Sequence, residues 1–211
     1  MRTIGIFGAS GFAREVADVA DSLGHRAIFI ARDQAEQDAW TLAGEIMLEA
    51  DMGRYPDMEF VIGIGENTVR ERVASRHADA LPFTSLIHPS ATFGRGQRES
   101  IEATRGVIVC AGVRFTNNIE VGDFSIFNLN ATVGHDVVVE RFVNVAPGAC
   151  ISGNVHLRTG CWIGTGAAVN QGTSEHHLIV GAGTVVGSGA VVVKDCDDNA
   201  VYVGIPARRI K

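Results

Sequence analysis

From Val109 onward every sixth residue of this 211-residue chain is apolar: Val109, Phe115, Val121, Phe127, Val133, Val139, Val145, Ile151, Leu157, Ile163 and Val169, with no polar residue among them. Four positions after each stands a mostly small or β-branched residue, such as Ala131, Val137, Val143, Ala149, Val155, Cys161 and Ala167. A six-residue spacing advances about 240° around a helix of 3.6 residues per turn and would scatter these side chains over its whole surface. The period fits a parallel β-helix instead. Three hexads make a triangular coil, the first residue of each points into a narrow shaft, and the small residue four places on lets the chain pass a corner. The frame breaks over residues 170–178 and resumes one residue out of step at Val180, Val186 and Val192. An exposed loop or irregular corner is expected at residues 171–177, away from the catalytic role, because Glu175 kept in the shaft frame would bury a charge.

Before residue 90 the pattern changes. Apolar runs (TIGIFG at 3–8, AIFI at 27–30, EFVIGIG at 59–65, FTSLIH at 83–88) alternate with stretches of helical period at 12–23 and 67–78. Strands alternating with helices on this spacing predict a small parallel sheet with helices on its faces. The chain therefore reads as two domains: an α/β unit over residues 1–88 and an all-β parallel β-helix over residues 89–211. The first apolar run ends in Gly8-Ala9-Ser10-Gly11 and opens a helix, where backbone N–H groups can hold phosphate. With Ala13 and Arg14 in the next places this is not a full GxGxxG fingerprint, and a nicotinamide dinucleotide is the lesser reading.

A net charge of −6 without any Lys/Arg cluster argues against nucleic acid as a partner. The N-terminal apolar run is too short for a signal peptide, and no apolar stretch approaches the length of a membrane span. A cytoplasmic protein with no membrane partner is expected. Cys110, Cys150, Cys161 and Cys196 form no CxxC pair and have no histidine at zinc-ligand spacing, so buried thiols are expected, without disulfides and without a metal.

Within the repeat, VGHDVV at 133–138 sets a histidine beside an aspartate. His135 is third in its hexad, where a side chain need not enter the shaft and can project into a cleft. Imidazole titrates near neutrality and can take the proton that an amine or hydroxyl loses as it attacks a thioester, and a neighbouring carboxylate stabilises the imidazolium. An isolated His-Asp pair is ordinarily no more than a solvated turn; its place in this repeat favours the catalytic reading.

The segments GASGFAREV (8–16), IGENTVRERV (64–73), LIHPSATFG (86–94), VGHDVVVERFVNVAPGACISGNV (133–155) and VGIPARRI (203–210) together resemble the acyltransferases that modify bacterial sugars. Among these, the similarity points to nucleotide-linked 4-amino-sugar N-acetyltransferases and sialic acid O-acetyltransferases, and it covers essentially the whole chain. The resemblance implies a Rossmann-like N-terminal domain that binds the sugar substrate, a left-handed β-helix that binds acetyl-CoA between adjacent subunits, and a homotrimer. It implies His135 as base, Asp136 as its modulator, and a backbone N–H of Gly153 as oxyanion donor, although Gly153 also reads as an ordinary corner glycine. Asn144, Thr165 and Gly183 match positions along the coenzyme, and Ser10, Gly11, Phe12 and Gly65 match substrate contacts. Asp136 stands where the amino-sugar enzymes usually carry glutamate, and Asn144 and Phe12 stand where histidines are usual. Asn144 can donate a hydrogen bond but cannot titrate, which concentrates acid–base work on His135. After the second strand Arg32 and Asp33 read either as loop charges or as nucleotide contacts.

The implied activity is acetyl transfer from acetyl-CoA to the amine of a nucleotide-activated sugar by direct attack. O-acetylation of sialic acid or a related sugar is the rival within enzymes. A catalytically silent trimeric scaffold or sensor is the rival outside them.

Overall fold

The N-terminal apolar runs become one parallel sheet in the computed structural model, which describes residues 1–211. Its strands are β1 (Thr3–Phe7), β2 (Arg26–Ala31), β3 (Glu45–Leu48) and β4 (Glu59–Ile62), ordered β3-β2-β1-β4 with every pairing parallel. This is the order of a Rossmann-type half, with ligand sites expected at the carboxyl ends of the strands. Helix α1 (Gly11–Ser22) buries Ala13, Val16, Val19 and Ala20. A short helix α2 (Gln34–Asp38) starts at Asp33, whose carboxylate accepts from the Glu36 N–H at 2.9 Å. Helix α3 (Asn67–His77) follows β4. The apolar run at 83–88 does not extend this sheet as a strand. Phe83 makes one bridge to Phe60, and Leu86–Ile87 already pairs with Ile108–Val109 in the β-helix, so the helical wall begins just before the boundary expected after residue 88.

The β-helix has three walls of eight, five and four short strands, all parallel except the terminal pair of Val201–Val203 with Arg208–Arg209 in the eight-stranded wall. From Ile108 to the break near residue 170 each wall residue pairs with the one eighteen positions on, as in Thr132 with Cys150, Val138 with His156 and Asn144 with Trp162. Across the break after residue 170 the offset becomes twenty-three, as in Val155 with Leu178, so that corner holds five extra residues. Five extra residues are the one-residue slip of a six-residue frame. The eleven hexad-first residues line the shaft; ten are fully buried and Val121 is half-buried. A helix with no period in the sequence to announce it, Gln97–Glu102, closes the first coil. Its Ile101 joins the shaft core, and the Gln97 amide bonds both the N–H and the C=O of Ile119.

The fourth residue of each hexad turns the corner in the left-handed region. Gly112, Asn118, Phe124, Asn130, Asp136, Phe142, Gly148, Asn154, Gly160 and Gly166 have φ between 55° and 73°. Glycine, asparagine and aspartate tolerate this conformation, whereas a bulky side chain is strained there. Phe124 and Phe142 are the exceptions. Their rings stack at 5.4 Å and enter the core of the α/β domain with Phe7, Ile62 and Phe83.

The α/β domain thus sits on the eight-stranded wall, with Ile108 and Ile126 sharing a cluster with Ile4, Ile6 and Val16. Arg70 of α3 is fully buried at this junction. It donates to Phe124 O at 2.8 Å, Phe142 O at 2.8 Å, Gly65 O at 2.8 Å, Ile64 O at 3.1 Å and Asn67 Oδ1 at 2.8 Å. Asn67 in turn donates to Gly160 O at 2.8 Å. No carboxylate pairs with Arg70. Burial pulls the guanidinium down to about 9, which leaves it charged at neutral pH. Arg70→Ala leaves several buried carbonyls without donors and should destabilise the protein by about 3–5 kcal/mol in chemical denaturation. Arg70→Lys, which keeps the charge but loses the fork of five donors, should cost less, about 1–3 kcal/mol.

Candidate active site

Residues 134–137 cross from the five-stranded wall to the four-stranded wall, at the corner opposite the wall that carries the α/β domain. Coil stacking sets Asn117 and Asn118 on one side of them, and Gly153 and Asn154 on the other. His135 and Asp136 project here, about half exposed, with Nδ1 of the imidazole 2.7 Å from Oδ2 of the carboxylate. The second oxygen of Asp136 accepts from the Asn118 side-chain amide. These two hydrogen bonds, that of Asn118 first, hold the Asp136 carboxyl below the usual carboxylate range. An ionised carboxylate can only accept, so Nδ1 is the donor of this bond and Nε2 is the ring nitrogen turned away from the carboxylate.

The imidazole lies against Gly153. A Cβ there would stand 2.5 Å from Cε1 and 2.6 Å from Nε2 of His135, so only glycine admits the ring. The Gly153 N–H makes no hydrogen bond within the chain. His135, Asp136 and Gly153 are therefore brought together by the coil period, which sets residues eighteen apart one above the other.

The other candidate residues lie elsewhere in the chain. Asn144 is buried on the wall facing the α/β domain and donates to Gly65 O at 3.0 Å; its Oδ1 has no partner. Thr165 and Gly183 are exposed at the two remaining corners. Ser10 lines a cleft of about 460 Å³ at the carboxyl ends of the sheet strands, together with Arg32, Glu49, Arg72, Arg76 and His77. Gly11 is the exposed first residue of α1, and Phe12 packs half-buried against the domain core. Arg32 pairs with Asp33 at 2.8 Å, and Asp33 serves locally as the α2 cap.

The loop at 171–177 is exposed to half-exposed and occupies the corner of His135, two coils on. His176 pairs with Asp195 at 3.1 Å. Ser174 and His177 reach a cavity of about 280 Å³ that Asn118 and Asp136 also line, so this loop comes closer to the His-Asp pair than its irregular sequence suggests. Three thiols are buried, and burial pushes Cys110 and Cys196 up to about 12, where they stay protonated. Cys150, expected to be buried with them, is exposed because it alternates outward beside inward-pointing Ile151.

Asn118 and Arg70 carry no motif that marks them in the sequence. Asn118 was within reach, since it stands eighteen residues before Asp136. Arg70 sits in a stretch with alternating charges, Arg70, Glu71 and Arg72, where nothing local distinguishes the buried cation from the solvated ones.

Comparison with known proteins agrees with this architecture. Residues 3–77 match the family described as the PglD N-terminal domain. The chain is 27% identical to the GDP-perosamine N-acetyltransferase of Escherichia coli over 100% of its own length and 97% of the relative's. Among solved structures, WeeI from Acinetobacter baumannii superposes with a TM-score of 0.86 at 29% identity, covering 100% of both chains. The acetyltransferase domain of PglB from Neisseria gonorrhoeae, in complex with acetyl coenzyme A, superposes with a TM-score of 0.85 at 27% identity over 99% of both chains. Residues 3–77 are thus of the PglD N-terminal type, and over its whole length, Rossmann-like domain and β-helix together, the chain is similar to sugar acetyltransferases of this architecture.

Proposed function

We propose that this protein transfers the acetyl group of acetyl-CoA to the amine of a nucleotide-activated amino sugar, of the 4-amino-4,6-dideoxy type, for surface glycan synthesis. The observation that carries the reading is the His135–Asp136 pair on an exposed corner, its imidazole seated on Gly153. The full-length similarity to a GDP-perosamine N-acetyltransferase supports the substrate class.

In this reading the sugar amine attacks the thioester carbonyl and its proton passes to Nε2 of His135, while Asp136 stabilises the imidazolium. The Gly153 N–H is free to donate to the oxyanion. Collapse of the tetrahedral intermediate breaks the C–S bond, and the imidazolium returns the proton to the departing thiolate. The substrate cleft of the α/β domain supplies Ser10 and a rim of Arg32, Arg72 and Arg76 for a diphosphate.

One chain holds these parts apart. His135 and Gly153 are at the corner opposite the α/β domain, and Thr165 and Gly183 are on the other two edges. A cyclic trimer that sets one subunit's catalytic corner against its neighbour's edges and α/β domain would assemble them. Exposed Val185, Val203 and Ile205 near the C-terminal end support such self-association.

A panel of GDP-, UDP-, dTDP- and CMP-linked sugars and free sugars, assayed for thiol release from acetyl-CoA, tests the activity. Turnover is expected with nucleotide-linked amino sugars. Turnover confined to sialic acids would replace the reading with O-acetylation, and none at all would favour a scaffold.

With the best substrate, His135→Ala should lower kcat by about 10² to 10⁴ while the fold is kept, because the side chain is half exposed. Asp136→Asn suits the same left-handed corner and should cost less. It removes a negative charge that favours the imidazolium, so the acidic limb of the pH–rate profile should move to lower pH. Gly153→Ala should displace the imidazole rather than the backbone and lower kcat by about 10² with little change in thermal stability.

A further inference from the structure

We propose that Asn118 is a positioning residue for the catalytic pair: its side-chain amide holds the Asp136 carboxylate in the rotation that keeps one oxygen on Nδ1 of His135. This rests on His135 being the base.

The terminal torsion of an aspartate is soft and roughly two-fold, so a half-exposed carboxylate has no intrinsic reason to keep one oxygen on a neighbouring ring. In this protein both oxygens are engaged, Oδ2 by His135 and Oδ1 by Asn118. Two bonds to two fixed groups set the plane of the carboxylate. Asn118 is itself fixed, at the same corner one coil earlier, with φ of 55° against 57° for Asp136.

The corner does not need this amide. Glycine makes the same turn at 112, 148, 160 and 166. Asn130 and Asn154 occupy equivalent left-handed corners without bonding a carboxylate, so the contact of Asn118 does not follow from its backbone. Glu120 and His177 line the cavity beside Asp136, yet neither hydrogen-bonds it. Asn118 is therefore the one group besides His135 that orients the carboxylate. A neutral amide suits the task, because a lysine or arginine there would cancel the charge on which the imidazolium depends.

The test compares Asn118→Gly, Asn118→Asp and the double variant Asn118→Gly/Asp136→Asn with wild type, using acetyl-CoA and the sugar nucleotide of the panel that turns over fastest, GDP-perosamine being tried first. Asn118→Gly keeps the corner conformation and should lower kcat about 5- to 30-fold, with both KM values within about twofold. Asn118→Asp, isosteric and equally tolerant of the corner, sets a second carboxylate against Asp136 and should be slower still. The double variant should turn over within about twofold of Asp136→Asn alone, since the amide acts only through the carboxylate. An unchanged kcat in Asn118→Gly, a loss confined to KM, or losses that multiply in the double variant would each overturn the assignment while leaving His135 as the base. Full activity of His135→Ala would overturn both.

Discussion

A single buried guanidinium determines how the two halves of this protein meet. Arg70 reaches from α3 into the β-helix and bonds the carbonyls of Phe124 and Phe142, two corner residues held in a backbone conformation that phenylalanine seldom adopts. Those corners are compensated twice, by stacking of their rings and by charge-assisted bonds to their carbonyls. The same side chain bonds Ile64 O and Gly65 O, and so fixes the loop after β4 to which Asn144 also bonds. The placement of the cleft that Ser10 lines relative to the coils follows from this contact. An unpaired buried cation is tolerable because five oxygens replace its water.

The corner rule of the coils also shapes the chemistry. The residue that follows His135 sits at the fourth hexad position, where φ is positive and asparagine or aspartate is tolerated better than a bulkier side chain. Asp136 satisfies the backbone and supplies the carboxylate at once. Its short side chain still reaches the imidazole because His135 is its immediate neighbour, and the coil stacking that brings Asn118 to its other oxygen supplies the orientation that length would otherwise give. The same stacking makes Gly153 the floor of the imidazole. Asn118, the His135–Asp136 pair and Gly153 thus stand on three consecutive coils of one corner.

The period of six made the architecture legible from the chain alone. A parallel β-helix imposes its repeat on every coil, so inward positions such as Val133, Ile151 and Val169 declare themselves without knowledge of any partner. The alternation of apolar runs with helical stretches announced the α/β domain, and the slip of frame after residue 170 located the irregular corner there. His135 with Asp136 stood out because the pair interrupts the pattern. Local order of this kind depends on neighbours within a hexad or two, which is the range sequence reports.

What only the tertiary structure decided lies between elements distant in the chain. Short Leu86–Ile87 reads like the end of the α/β unit, but its pairing with Ile108–Val109 makes it the first rung of the wall. Cys150 resembles the other three cysteines and is exposed only because of the side of the strand it occupies. Arg70 looks like any charge on a solvated helix face until Phe124 and Phe142, more than fifty residues away, surround it. Asn144 and Gly65 become partners only when the domains dock. Sequence determined the repeat, its corners and the residues able to carry the chemistry, because these follow from local period. Docking of the domains determined which polar groups are buried and satisfied, because burial is a property of the whole packed chain.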